Sequence, residues 1–202
     1  MSTGHERRAL ALSYFTVGYN VLEGLASVFA GGAAGSAALV GFGLDSFVES
    51  LSGGIMVWRF RSHGRSHPET EQAERRATRL VGYTFFVLGA YVLVDSARKL
   101  WVGERPEGSL LGIAITVASL VVMPVLYAAK QRTARRIGSR SLAADSKQTL
   151  ACVAMSAGVL LGLVLNRAFG LWQADPVVAL VIALLLFREG RETLREGTLC
   201  CC

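Results

Sequence analysis

Residues 41–58 read GFGLDSFVESLSGGIMVW, an apolar run of bilayer-spanning character broken by two carboxylates, Asp45 and Glu49. On a helix, residues four apart share a face, so both carboxylates point the same way. An ionisable group at the centre of a spanning helix costs about 2.5–3.5 kcal/mol on insertion scales, so such groups mark pathways or sites. Two bare anions in apolar surroundings repel each other, and the pair is stable only when protonated or sharing a cation. Cation binding is the simplest resolution. The plainer alternative, a pair wetted near a helix end, fits less well because apolar sequence extends on both sides.

Working outward, the 202 residues are 52% hydrophobic and only 18% charged, with a mean hydropathy of +0.43. A soluble domain carries about a quarter of its residues as charges. A spanning helix needs about 20 mostly apolar residues. Six segments qualify: roughly 11–31, 37–59, 80–101, 109–129, 142–166 and 172–189. They predict an all-α membrane protein, one six-transmembrane-helix bundle over 1–202. The first and second segments are joined by GGAAGSA, the third and fourth by VGERPEGS, the fifth and sixth by little more than NRAFG. A basic loop is expected over 60–79, passing into a surface helix near 69–79, and a short tail over 190–202.

Lysine and arginine distribute unevenly across these loops. Sixteen, Lys130 among them, fall on one side, and four (Arg98, Lys99, Arg105 and Arg167) on the other. By the positive-inside rule this places both termini in the cytoplasm, in a bacterial inner (plasma) membrane. The net charge of +6 is thereby explained without nucleic acid, for which no binding signature is present. The basic start MSTGHERRAL suits a signal peptide, but the apolar run after it is too long, so it reads as a retained first span. No room follows the last span for a folded soluble domain, so the function is expected within the bundle.

Other polar groups fall inside spans. In SLAADSKQTLACVAMSAGVLLG (141–162), Asp145, Gln148 and Cys152 stand at i, i+3 and i+7, on one helical face. Carboxylate, amide oxygen and thiolate are all ligands, and the thiolate favours softer ions such as zinc. Read plainly, Cys152 is a small core residue and Asp145 a helix cap. Asn20 and Glu23 lie at i, i+3 in the first span with Tyr14 further up, where they line the same cavity or pair with a neighbouring helix. Lys147 is placed to snorkel, and Asp95 and Asp175 to sit at the interface. His63 and His67 could hold a metal but are more often solvated, and Cys200 to Cys202 could capture a soft ion or be an idle end. Gly158 and Gly162 permit close helix packing, which leaves a homodimer open. The spans contain no histidine and no nucleophile–base pair, so an enzyme is not expected.

The segments SAALVGFGLDSFVES (36–50), ADS (144–146) and ADPVVALVIALLLFREGRETLRE (174–196) resemble the cation diffusion facilitator, or cation efflux, family, over essentially the whole chain. The resemblance implies a tetrahedral metal site with two residues from the second helix and two from the fifth. These fall on Asp45, Glu49, Gln148 and Cys152. The family usually carries His and Asp at the last two positions, and its cytoplasmic C-terminal domain has no counterpart here, as in a small tail-less branch. Implied with it are divalent metal ion as substrate (zinc favoured), exchange against protons, efflux and alternating access. The reading of another class is a metal-binding membrane sensor or scaffold without flux.

Overall fold

The computed structural model describes residues 4–61 and 68–196. The expected His63, His67 and Cys200 to Cys202 features lie outside the described residues. Six α-helices account for nearly all of the rest: α1 (Gly4–Ala34), α2 (Ala37–Arg61), α3 (Pro68–Val102), α4 (Leu110–Ile137), α5 (Arg140–Phe169) and α6 (Ala174–Glu196). Each corresponds to one expected span, and four extend well beyond it at one end or the other. The stretch expected as a loop and separate surface helix over 60–79 is largely the start of α3. Nothing between Pro68 and Leu80 breaks a helix, and proline at the first position loses no hydrogen bond. Likewise NRAF belongs to α5, which stops only at Gly170, where φ is 66° and the cap N–H reaches Asn166 O. The turn to α6 is therefore residues 170–173. Between α4 and α5 the reversal takes two residues: Gly138 in the left-handed region and Ser139, whose hydroxyl accepts from Leu142 N.

Short turns make sequential neighbours antiparallel, and α1–α2, α4–α5 and α3–α6 form the three closest pairs. Contacts of α1 with α2, α2 with α5, α5 with α4 and α4 with α1 close an inner ring of four helices. The α3–α6 pair leans on this ring through α2 and α5. Glycine permits the tightest crossing: a Cβ on Gly43 would stand 2.9 Å from the backbone nitrogen of Val28. Gly158 and Gly162, expected as a packing surface, face Val178 of α6 within this chain.

At the end where α1 meets α2, the helix termini are held by charges of the right sign. Asp175, in the first turn of α6, accepts from the Ser36 hydroxyl and from Ala38 N at the start of α2. Lys99 donates to Gly35 O, just past the end of α1, at 2.9 Å, and pairs with Asp95 at 2.8 Å. Anions at helix N-termini and cations at C-termini are both favourable. Asp95 is partly exposed, as expected, whereas Asp175 is fully buried and is no interface residue. Its hydrogen bonds to α2 draw it inward.

The radial distribution of polarity is inverted relative to a soluble protein. Leu22, Phe29, Val87, Trp101 and Val125 are each more than two-thirds exposed, while Ser13, Thr16, Asn20, Glu23 and Ser27 are buried. Such a surface suits hydrocarbon, not water. Among the described residues, only Leu110–Ile137 and Asp145–Phe169 are apolar enough to pass as spans on length and composition alone, with mean hydropathies of 2.3 and 2.0. In α1 and α2, the residues that lower the average are Asn20, Glu23, Asp45 and Glu49, and these turn inward. Gly43→Val should destabilise the bundle by about 1–3 kcal/mol, because the facing atom is backbone and cannot step aside. Thermal unfolding in detergent micelles reads this directly, and an unchanged midpoint would mean that α1 and α2 part freely.

Candidate cation site

Glu49 lies at the middle of α2, twelve residues from Ala37 and from Arg61, or about 18 Å from either end. It is fully buried, and Asp45, one turn away, is 3% exposed. Both face the interior of the ring, where α5 presents Asp145, Thr149 and Cys152 and α4 presents Lys130, all fully buried. The Lys130 ammonium organises this interior. Its Nζ lies 2.8 Å from Asp145 Oδ2 and 3.7 Å from Glu49 Oε1, and it donates to Thr149 Oγ1 at 2.9 Å. Thr149 in turn donates to Glu49 Oε1 at 2.6 Å, and Ser52 to Asp145 Oδ1 at 3.4 Å. Cys152 lies three residues past Thr149 on α5, fully buried, and Glu49 Oε2 has no hydrogen-bond partner.

Of the residues singled out from the sequence, Glu49 and Asp145 are brought together through Lys130 and Thr149, with Cys152 buried further along α5 and Asp45 buried one turn from Glu49 on α2. Asp145 does not cap α5, since Ser139 does that, and it spends its charge on Lys130 instead. Gln148 is half-buried and makes no hydrogen bond to the others. Among the described residues no three His, Cys, Asp or Glu side chains converge tightly enough to hold a metal ion. Lys130 and Thr149 draw Glu49 toward α4 and α5, whereas Asp45 has no hydrogen-bond partner among them. Asn20 and Glu23 line the α1 side of the same interior. Glu23 Oε2 accepts from Ser46 at 2.9 Å, which connects α1 to the turn between Asp45 and Glu49.

Lys130 went unread in the sequence because it directly follows an apolar span and opens the basic stretch KQRTARR. By sequence it belongs with the loop charges, yet it lies within α4 with no exposure. The one available signal is compositional. The chain has three lysines, Lys99, Lys130 and Lys147, against eighteen arginines, and two of the three are buried in ion pairs. Lys147 is exposed, consistent with its expected outward stem.

The interior is short of positive charge. Buried carboxylates number five (Glu23, Asp45, Glu49, Asp145 and Asp175) and buried ammonium groups two (Lys99 and Lys130) among the described residues. Asp45 has acidic neighbours, Glu49 one turn away on α2, Glu23 on α1 and Glu189 on α6. Removing one partner of a buried pair leaves an uncompensated charge, at about 3–5 kcal/mol. Lys130→Met should therefore lower stability by an amount of that order, and the double variant Lys130→Met/Asp145→Asn should recover most of the loss. Chemical denaturation in micelles measures both. A tolerated single variant would mean that Lys130 contributes nothing to the folded interior.

Comparison with known proteins agrees with this architecture. The cation efflux transmembrane domain matches residues 14–199. Transmembrane protein 163 of Xenopus laevis is 22% identical over 95% of this chain and 68% of its own length. An uncharacterized transporter of Synechocystis is 26% identical over 80% of this chain and 54% of its own, and one of Methanocaldococcus jannaschii 23% over 83% and 60%. The chain thus spans between about half and two-thirds of the length of these relatives. A ring of four helices with an inward, carboxylate-rich seam and an apolar exterior is what a membrane domain for cations requires, and the chain belongs to the cation efflux transmembrane domain family.

Proposed function

We propose that this protein carries a divalent metal cation, zinc before others, across the membrane in exchange for protons. The observation that carries the reading is the excess of buried carboxylates centred on Asp45 and Glu49 at the middle of α2. In a low-dielectric interior these groups need either protons or a cation. A dication bridging Asp45 and Glu49 would expel their protons, as metal binding to protonated ligands does, and so link the two fluxes. Cys152 adds a soft donor beside Glu49, which favours zinc over magnesium or manganese.

In this reading Lys130 is the counter-ion of the metal-free site. The incoming dication takes Glu49 from it, and Lys130 retains Asp145, so the ring is never left with every carboxylate bare. Access to the two sides would alternate by rocking of the α3–α6 pair against the ring, with the site at the membrane midplane. Gln148 would join as a fourth ligand only after its helix face turns further inward. The uneven lysine and arginine distribution supports cytoplasmic termini, and efflux is the direction that the family suggests.

A second reading has one observation in its favour. Lys130 already neutralises part of the site, and a permanent pair would suit a metal-binding sensor or scaffold without flux. Proteoliposomes with a proton-sensitive dye inside separate the two. Zinc addition should drive proton movement that Asp45→Asn and Glu49→Gln each reduce to the level of empty vesicles. Cys152→Ser should retain flux but shift preference from zinc toward manganese. Zinc binding at these residues without proton movement, even under an imposed pH gradient, would leave only the sensor or scaffold.

A further inference from the structure

The buried face of α1 is polar over four turns, with Ser13, Thr16, Asn20, Glu23 and Ser27 following one another at spacings of three and four. Ser13 and Thr16 satisfy themselves on carbonyls of their own helix. The next three residues do not. Neither amide atom of Asn20 has a hydrogen-bond partner, nor does Glu23 Oε1 or Ser27 Oγ, although Asn20 is fully buried and Glu23 is 5% exposed. Buried polar atoms without partners are rare, and each calls for an explanation such as a bound water or ion.

We propose that Asn20 and Glu23 of α1, with Ser46 of α2 and Ser119 of α4, form a site for a monovalent cation of the sodium class, separate from the Asp45/Glu49/Cys152 site. Ser46 donates to Glu23 Oε2 at 2.9 Å, and the Ser119 hydroxyl and the Tyr19 phenol lie beside the same carboxylate. Ser156 donates to Ser119 at 2.9 Å, which fixes that hydroxyl from α5. These contacts hold the carboxylate in place and leave Oε1 and the Asn20 amide oxygen unfilled.

Charge and donor type then select the ligand class. Both ion-paired ammonium groups of the interior are committed elsewhere, Lys130 to Asp145 and Glu49, Lys99 to Asp95 and Gly35 O. Glu23 is the only anion in its own set, so one positive charge balances it and two would leave an excess in a poorly solvating interior. The donors are carboxylate, amide and hydroxyl oxygens, which suit a hard ion and not a thiophilic one. Coupling ions in other transporters are held near the bilayer midplane, which is where Glu23 sits relative to α2.

The test uses the full chain in detergent, with thermal unfolding compared in sodium chloride and choline chloride at equal ionic strength. A ligand bound only by the folded state raises its stability with concentration. Sodium should raise the midpoint above choline, and Glu23→Gln and Asn20→Leu should each abolish that increment. Asp45→Asn and Glu49→Gln should keep it while losing zinc binding, so failure of the divalent reading would leave this one standing. Equilibrium binding of radioactive sodium provides the second readout, with one ion per native chain and none on Glu23→Gln. Equal midpoints in the two salts, no sodium bound by the native chain, or an increment that survives Glu23→Gln would each overturn the proposal and assign the pocket to water.

Discussion

Among the described residues the ammonium group of Lys130 is the only positive charge at the centre of the inner ring, and the packing of α2, α4 and α5 depends on it. Asp145, Thr149 and Glu49 reach it from two helices, at 2.8, 2.9 and 3.7 Å. Without that charge, α2 and α5 would bring carboxylates together across a dry interface. With it, the two helices are joined by a cation, which is the arrangement a transported ion would reproduce. The proposed site is therefore one built around positive charge, with the protein's own side chain serving as part of it. Asp45, which Lys130 does not reach, is left as the carboxylate in need of an external partner.

The same logic operates on a different scale at the α1–α2 turn. Asp175 and Lys99 come from α6 and α3, the pair outside the ring, and hold the two helix termini of the hairpin. The pair is thus anchored to the ring at one end through hydrogen bonds and along its length through apolar packing. Such an attachment permits tilting about the anchored end more readily than separation. The Ser36 hydroxyl and the Ala38 N–H donate to the Asp175 carboxylate and offset part of the cost of burying it.

Much of this was legible in the sequence because bilayer physics leaves few choices. The six helices followed from apolar length, and Asp45 with Glu49 stood out as charges in a span. Cys152 and Asp145 followed from helical periodicity, which fixes a shared face without any knowledge of the partner helix. The rest was not legible for identifiable reasons. Helix α3 overran its span because polar sequence with good helix propensity carries no mark of where the membrane stops. Lys130 was hidden because its neighbours in sequence are arginines that face away from the ring, and only tertiary contact distinguishes it from them. Gln148 shares its face with Cys152 by spacing alone, but it lies at the rim of that face and stays outside the hydrogen-bonded cluster.

The central claim is that Asp45, Glu49 and Cys152 accept an external dication at the position where Lys130 now neutralises Glu49. Titration of the purified chain with cobalt(II), followed in the near ultraviolet, tests it most directly, because a thiolate bound to cobalt gives a charge-transfer band that oxygen ligands cannot. The account predicts a band saturating at one cobalt per chain, absent from Cys152→Ser and weakened in Asp45→Asn and Glu49→Gln. Cobalt binding with no such band, or a band unaffected by the α2 substitutions, would contradict it.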